Sequence, residues 1–228
     1  MTAMITLADV KKAFNQGRHN EFWALKGIDL AIRANAVTVF RGPSGSGKTT
    51  LLTMVGALAR PTSGRVRLEG RDISSMPERF LTEIRRSTFG FVFQNFNLIK
   101  GISVIENVMI PAYPLGRPHG RLKARALELL DQLEMADKAE ARAEWLSGGE
   151  AQRAAIARAM INDPRVLIAD EPTANLDSER SAQFLAIVER LKRDGRTLLM
   201  TSHDPMVAEA PVVDHVVGMR DGRVVETR

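Results

Sequence analysis

Gly42-Pro43-Ser44-Gly45-Ser46-Gly47-Lys48-Thr49-Thr50 is the stretch on which the fold turns. It follows the apolar run 37–40, which predicts a strand. It opens an apolar segment, residues 48–58, which predicts a helix stopped by Pro61. Glycines 42, 45 and 47 let the backbone bend and approach a ligand without Cβ clashes, so successive N–H groups face one concavity. The start of the helix adds partial positive charge at the same place. Lys48 supplies an ammonium for the β- and γ-phosphates, and Thr49 a hydroxyl for Mg²⁺. Strand, glycine loop and helix in this order point to a bound nucleoside triphosphate.

Downstream, residues 166–169 (Val-Leu-Ile-Ala) form an apolar run without alternation, as expected of a parallel strand buried on both faces. The run ends in Asp170-Glu171. Carboxylates at the carboxyl end of such a strand sit where open α/β sheets bind ligands. Asp170 is the candidate Mg²⁺ ligand. Glu171, one residue further, is the candidate base for an attacking water. A second run, 197–201, ends in Ser202-His203-Asp204, which offers His203 to a terminal phosphate. Gln94 follows another strand, 89–93.

The remaining segments fit an α/β chain. Residues 5–10, 23–32 and 36–40 read as strands, and 65–69 alternates polar and apolar like a half-exposed antiparallel strand. Residues 95–162 read as mostly helical, with Leu122, Ala126, Leu129, Leu130 and Leu133 at helical spacing. Helix 178–192 precedes strand 197–201. Around Asp221-Gly222, the runs 216–219 and 223–226 predict a hairpin. Strand–helix–strand order predicts a parallel sheet covered by helices, interrupted by a helical insertion.

Ser147-Gly148-Gly149-Glu150 begins an alanine-rich helix. Ser147 with Glu150 three residues on is a capping box, and the glycines leave that helix start open to a second anion. Leu146-Ser-Gly-Gly-Glu-Ala-Gln-Arg153, followed by the hydrophobic strand and Asp170-Glu-Pro-Thr-Ala-Asn-Leu-Asp177, resembles the signature, Walker B and D-loop (174–177) of ABC-type ATPases. With the phosphate loop, Gln94 and His203, six motifs stand in order across essentially the whole chain.

The resemblance implies one ABC ATPase domain over 1–228. Its fold is a P-loop NTPase with a RecA-like core, an N-terminal antiparallel β subdomain and an inserted helical subdomain at about 95–162. It also implies ATP and Mg²⁺ as ligands and a head-to-tail dimer of two copies. Residues 42–50, Gln94, Asp170, Glu171 and His203 then serve one nucleotide. The segment 147–150 of the opposite copy closes over it, through Ser147 and Gly149. Thr49, Gln94 and Asp170 are the implied metal residues; Glu171, His203 and Gln94 are the catalytic ones. Phe14 stands where such proteins place an adenine-stacking tyrosine, with Trp23 a weaker candidate.

Finer resemblance, in 89–99, 102–113, 168–178, 202–210 and 219–226, is to subunits of lipoprotein-releasing and macrolide-exporting systems, with which a cell-division ATPase is grouped. The expected partner is a transmembrane permease on another polypeptide, met by residues 95–115, with Phe96, Leu98 and Ile99 as apolar contacts. An ATPase regulating the cell envelope or division is the alternative. A soluble DNA-repair or translation enzyme fits less well, for want of a coiled-coil insert or a second ATPase module.

Composition agrees. The 228 residues contain no cysteine, which excludes disulfides and cysteine-held metals. With 32 Lys+Arg against 27 Asp+Glu, the net charge of +5 selects no particular anionic partner, and no nucleic-acid partner is expected. No apolar stretch approaches the ~20 residues of a membrane helix, and no secretory signal is seen. The expected location is the cytoplasmic face of the inner membrane, reached through the permease.

Overall fold

The computed structural model describes residues 3–174 and 177–228. The N-terminal strands β1 (Ala3–Phe14) and β2 (Phe22–Arg33) pair antiparallel, and β1 also pairs with β4 (Ser63–Leu68), which carries the short β5 (Arg71–Asp72) at its outer edge. This gives a four-stranded sheet in the order β2-β1-β4-β5.

The second sheet is six-stranded and mostly parallel. It contains β3 (Val37–Arg41), β6 (Phe89–Val92), β7 (Val166–Ala169), β8 (Thr197–Ser202), β9 (His215–Arg220) and β10 (Arg223–Thr227), in the order β10-β9-β3-β8-β7-β6. Only β10 runs antiparallel, turned back on β9 by Asp221 and Gly222, both with positive φ as a two-residue hairpin requires.

Side chains alternate between two cores, one on each face of this sheet. Val37, Val39, Leu167, Ala169, Leu198 and Met200 enter one core. It is shared with α3 (Val104–Met109), α4 (His119–Gln132), α5 (Gly148–Met160) and α6 (Ser178–Arg193). Phe40, Ile168, Leu199 and Val217 enter the other, with α1 (Lys48–Val55) and the antiparallel sheet. Burial on both faces explains why these strands are continuous apolar runs.

Two elements depart from the sequence expectation. Helix α1 ends at Val55, three residues early, with Gly56 as its C-cap. A further helix, α2 (Glu78–Thr88), lies in a stretch given no element above; Leu81 is buried and Ile84, three residues on, packs against the same core, while Glu78, Arg79 and Glu83 turn outward. The last short helix, α7 (Pro205–Ala208), starts on Asp204, whose carboxylate accepts from the Met206 N–H.

Candidate active site

Parallel pairing brings four chain segments to one edge. Arg41 is level with Ser202, Ala169 with Met200, and Val92 with Ala169. The residues just beyond these strand ends therefore meet: the glycine loop after β3, His203 after β8, Asp170 and Glu171 after β7, and Gln94 after β6. They surround a cleft of about 520 Å³ lined by Ser44 to Thr50, Gln94, Glu171, His203, Phe22 and Ala24.

The loop geometry requires its glycines. Gly47 has φ +100, and a Cβ there would come within 2.6 Å of the Ala24 carbonyl oxygen; at Gly42 it would come within 2.1 Å of the Met219 oxygen. The hairpin turn holds the loop from behind, with Gly222 N–H donating to the Ser46 oxygen at 3.1 Å. Helix α1 has Gly47 as its N-cap, with no side-chain cap and no acid in its first turn. Its leading N–H groups are left for an anion. Ser46 Oγ is buried without a partner beneath the loop.

Lys48 is 7% exposed. Its ammonium donates to the carbonyls of Gly42 (2.8 Å) and Pro43 (3.2 Å) and lies 3.6 Å from Glu171 Oε1. Thr49 Oγ1 donates to Asp170 Oδ1 at 3.0 Å, so the two oxygens expected to hold Mg²⁺ are adjacent. A hydroxyl, a carboxylate and the Gln94 amide form an all-oxygen donor set, which suits a hard cation partly held by phosphates.

Thr201, not singled out by sequence, ties the acids together. Its hydroxyl donates to Asp170 Oδ1 at 2.6 Å and accepts from the Glu171 N–H at 2.7 Å. The signal for it was only its place at the end of β8. Glu171 has φ +45, an uncommon conformation for a non-glycine residue, which turns its side chain away from the strand direction. His203 Nδ1 then meets Glu171 Oε2 at 2.8 Å.

The ring expected to stack on adenine is not in the wall of the cleft. Phe14 is absent from the cleft wall and Phe22, directly opposite it in the β1–β2 register, lines it; the Lys12 ammonium sits 5.4 Å from the Phe14 ring. Trp23 is not in the wall either. Of the apolar group 96, 98 and 99, Phe96 and Leu98 pack against the core and only Ile99 is well exposed. Arg158 of α5 donates to the carbonyls of Phe96 and Asn97, pinning the loop after Gln94 to the signature helix. Burial of this guanidinium lowers its pKa.

Ser147, Gly148, Gly149 and Glu150 stand outside the cleft. The capping box is formed: Ser147 N–H donates to Glu150 Oε2 at 2.8 Å, and Ser147 Oγ accepts from the Glu150 N–H. The Ser147 N–H foremost, then the Ser147 hydroxyl and the Lys138 charge, stabilise the Glu150 carboxylate and lower its pKa. Trp145, two residues before Ser147, is 77% exposed. Within the expected D-loop, Asn175 and Leu176 lie outside the described residues.

The family model described as ABC transporter matches residues 25–174. The chain belongs to the ABC transporter family. It is 43% identical over 98% of its length to the macrolide export ATP-binding/permease protein MacB of Rhodospirillum rubrum, and spans 34% of that protein's length. It is 40% identical to the ABC transporter ATP-binding protein YvrO of Bacillus subtilis, covering 97% of this chain and 96% of YvrO. Among solved structures, the ATP-binding cassette MJ0796, a dimer in a post-hydrolysis state with ADP and Pi, superposes with a TM-score of 0.90 at 35% identity, over 99% of this chain and 98% of that one. The chain is thus an ATPase cassette with the α/β ABC fold.

Proposed function

We propose that this cassette binds and hydrolyses ATP between two of its copies and drives a transmembrane permease of the export or mechanotransmission type. The observation that carries the reading is the division of the motifs. Phosphate loop, Glu171, Gln94 and His203 line one cleft, with Asp170 bonded to Thr49 at its edge, whereas the signature helix start lies outside it, open for a nucleotide held by another copy.

In this reading Phe22, which lines the cleft, lies against the adenine with Phe14 beside it on β1 as the alternative ring, residues 42–50 wrap the phosphates, and Lys48 exchanges its carbonyl partners for phosphate oxygens. Thr49, Asp170 and Gln94 would hold Mg²⁺, which when bound would neutralise phosphate charge. Glu171 accepts the proton of the attacking water, and His203, already on its carboxylate, orients it. The second copy brings Ser147 and Gly149 to the terminal phosphate, with the Glu150 box holding that helix start in shape. Trp145 supplies an apolar anchor beside them. Loss of phosphate releases the copies, and helical insertion 95–162 carries the movement.

The permease would sit in a groove of about 330 Å³ between α2, β6 and α5, lined by Leu58, Phe91, Phe93 and Pro111 and rimmed by Arg85 and Arg86. In this reading the cassette works at the cytoplasmic face of the membrane, held there by the permease. The relatives named as macrolide exporters support export; the cargo is read by the permease.

The test is assembly. Glu171→Gln with ATP and Mg²⁺ should run as a dimer in size-exclusion light scattering and revert on ATP removal, and Ser147→Arg should abolish that dimer. A Glu171→Gln chain that stays monomeric at saturating ATP would sink the two-copy site.

A further inference from the structure

The groove proposed for the permease is continued, two residues past Pro111, by a second surface of different chemistry. Residues 113–121, Tyr-Pro-Leu-Gly-Arg-Pro-His-Gly-Arg, are exposed without interruption. They run from the end of a 3₁₀ turn (Ile110–Leu115) into the first turn of α4. Tyr113 and Leu115 are among the well-exposed large apolar side chains. From 107 to 127 the chain has no Asp or Glu but has Arg117, Arg121, Lys123 and Arg125, with His119.

Two of these cations are already answered: Lys123 reaches Glu140 (3.4 Å) and Arg125 reaches Glu128 (2.9 Å). Arg117 and Arg121 have no ion-pair partner among the described residues. The first turn of α4 also lacks the acid that a helix start favours, so the positive charge here is uncompensated.

We propose that residues 113–121 form a contact surface for anionic phospholipid headgroups. Each part of the chemistry fits that occupant. A tyrosine and a leucine at the tip suit the boundary between headgroups and acyl chains, where amphipathic aromatics are enriched. Guanidinium groups pair bidentately with phosphate. Binding to an anionic surface grows with the apolar area inserted and with the cations beside it, and this tip offers both. Pro114 and Pro118 flank Gly116, whose φ of +64 forms the bend, so the tip is preset and little ordering entropy opposes binding. A protein partner would need acids matched to two arginines; a lipid surface supplies phosphates without such matching. The surface operates with or without the permease, so its failure leaves the ATPase reading intact.

The experiment is vesicle co-sedimentation of the full chain. Phosphatidylcholine vesicles are compared with vesicles containing phosphatidylglycerol, at low and high salt. A cation near an anionic surface contributes about fivefold in partitioning. Arg117→Gln with Arg121→Gln should therefore weaken binding to the anionic vesicles about 25-fold, with ATPase activity and circular dichroism unchanged. Tyr113→Ser with Leu115→Ser should weaken binding while keeping its salt dependence. The control is Arg33→Gln with Arg71→Gln, which removes equal charge from the antiparallel sheet and should change binding less than twofold.

Equal loss in the control would mean general basicity and overturn the proposal, as would equal binding to phosphatidylcholine or no binding to anionic vesicles. Variants that bind vesicles normally but lose the detergent-solubilised permease would assign the tip to protein, and equally overturn it.

Discussion

Glu171 is held by His203 on one side and Lys48 on the other: its Oε2 lies 2.8 Å from His203 Nδ1 and its Oε1 lies 3.6 Å from Lys48 Nζ. The backbone bond from Glu171 N–H to Thr201 fixes where the carboxylate emerges. In the proposed role of Glu171 as the base, the carboxylate would keep its geometry when Lys48 turns to phosphate, because the histidine and the Thr201 bond remain.

Glu171→Gln should therefore separate binding from chemistry. The amide keeps the size and can still pair with His203, but it takes no proton. ATP affinity should stay within about threefold, and turnover should fall by about 10²–10⁴, the usual worth of a positioned general base. His203→Ala should lower turnover with little change in KM, since it acts by positioning. Single-turnover hydrolysis measures both. Wild-type turnover in Glu171→Gln would remove it as the base.

The two phenylalanines proposed for the adenine can be told apart. Phe14 is 45% exposed and Phe22 55%, and they face each other across β1 and β2. An aromatic stack is worth about 1 kcal/mol. The lost ring should raise the Kd for ATP about fivefold, and should do so for GTP less selectively. Phe14→Ala should show the larger loss if the family position carries the stack. A larger loss in Phe22→Ala would give that role to the ring that lines the cleft.

The phosphate loop, the acid pair and the signature were legible because their chemistry is local: spacing along one short segment dictates which groups converge. Thr201 was not, since its bond to Asp170 depends on β7 and β8 being neighbours, and strand adjacency is not written in either strand. Phe22 escaped for the same reason, being placed by its register against Phe14. Helix α2 was missed although Leu81 and Ile84 stand at helical spacing; its apolar face is short and lies among the charged or hydroxyl side chains of Glu78, Arg79, Thr82, Glu83, Arg85, Arg86 and Ser87. The role proposed for Ser147 needs a second copy, so its own surroundings carry no sign of a site beyond the formed capping box.

Gly42 and Gly45 sit in the same loop but should respond differently to alanine. At Gly42 the new Cβ meets the Met219 carbonyl at 2.1 Å, so β9 or the loop must move; at Gly45, with φ +78, nothing lies within 4 Å. Gly45→Ala should cost only the left-handed backbone penalty, about 1–2 kcal/mol. Gly42→Ala should cost more, about 3 kcal/mol or above, and also lose nucleotide binding. Urea unfolding with and without ATP measures both. Equal midpoints would show that the hairpin does not brace the loop.

Asp214 links the sheet to α6 and should confer acid sensitivity. Its Oδ1 accepts from Lys192 Nζ at 2.7 Å and its Oδ2 from the Val37 N–H at 2.8 Å. Burial pushes the carboxyl pKa up, but these bonds and the Lys192 charge together outweigh it, leaving the pKa below the usual value. A carboxyl with a depressed folded-state pKa stabilises the fold above its unfolded pKa of about 4, and that contribution disappears as the pH falls through the folded value. Asp214→Asn keeps an acceptor for Val37 but loses the charge, so at neutral pH it should be less stable by about 1 kcal/mol, discounted for partial solvent screening. The gap between wild type and Asp214→Asn should hold from neutral pH down to about 5 and close below about 4. Denaturant titrations across that range decide it, and a gap that stays constant or widens in acid would show that the Lys192 pair contributes nothing to stability.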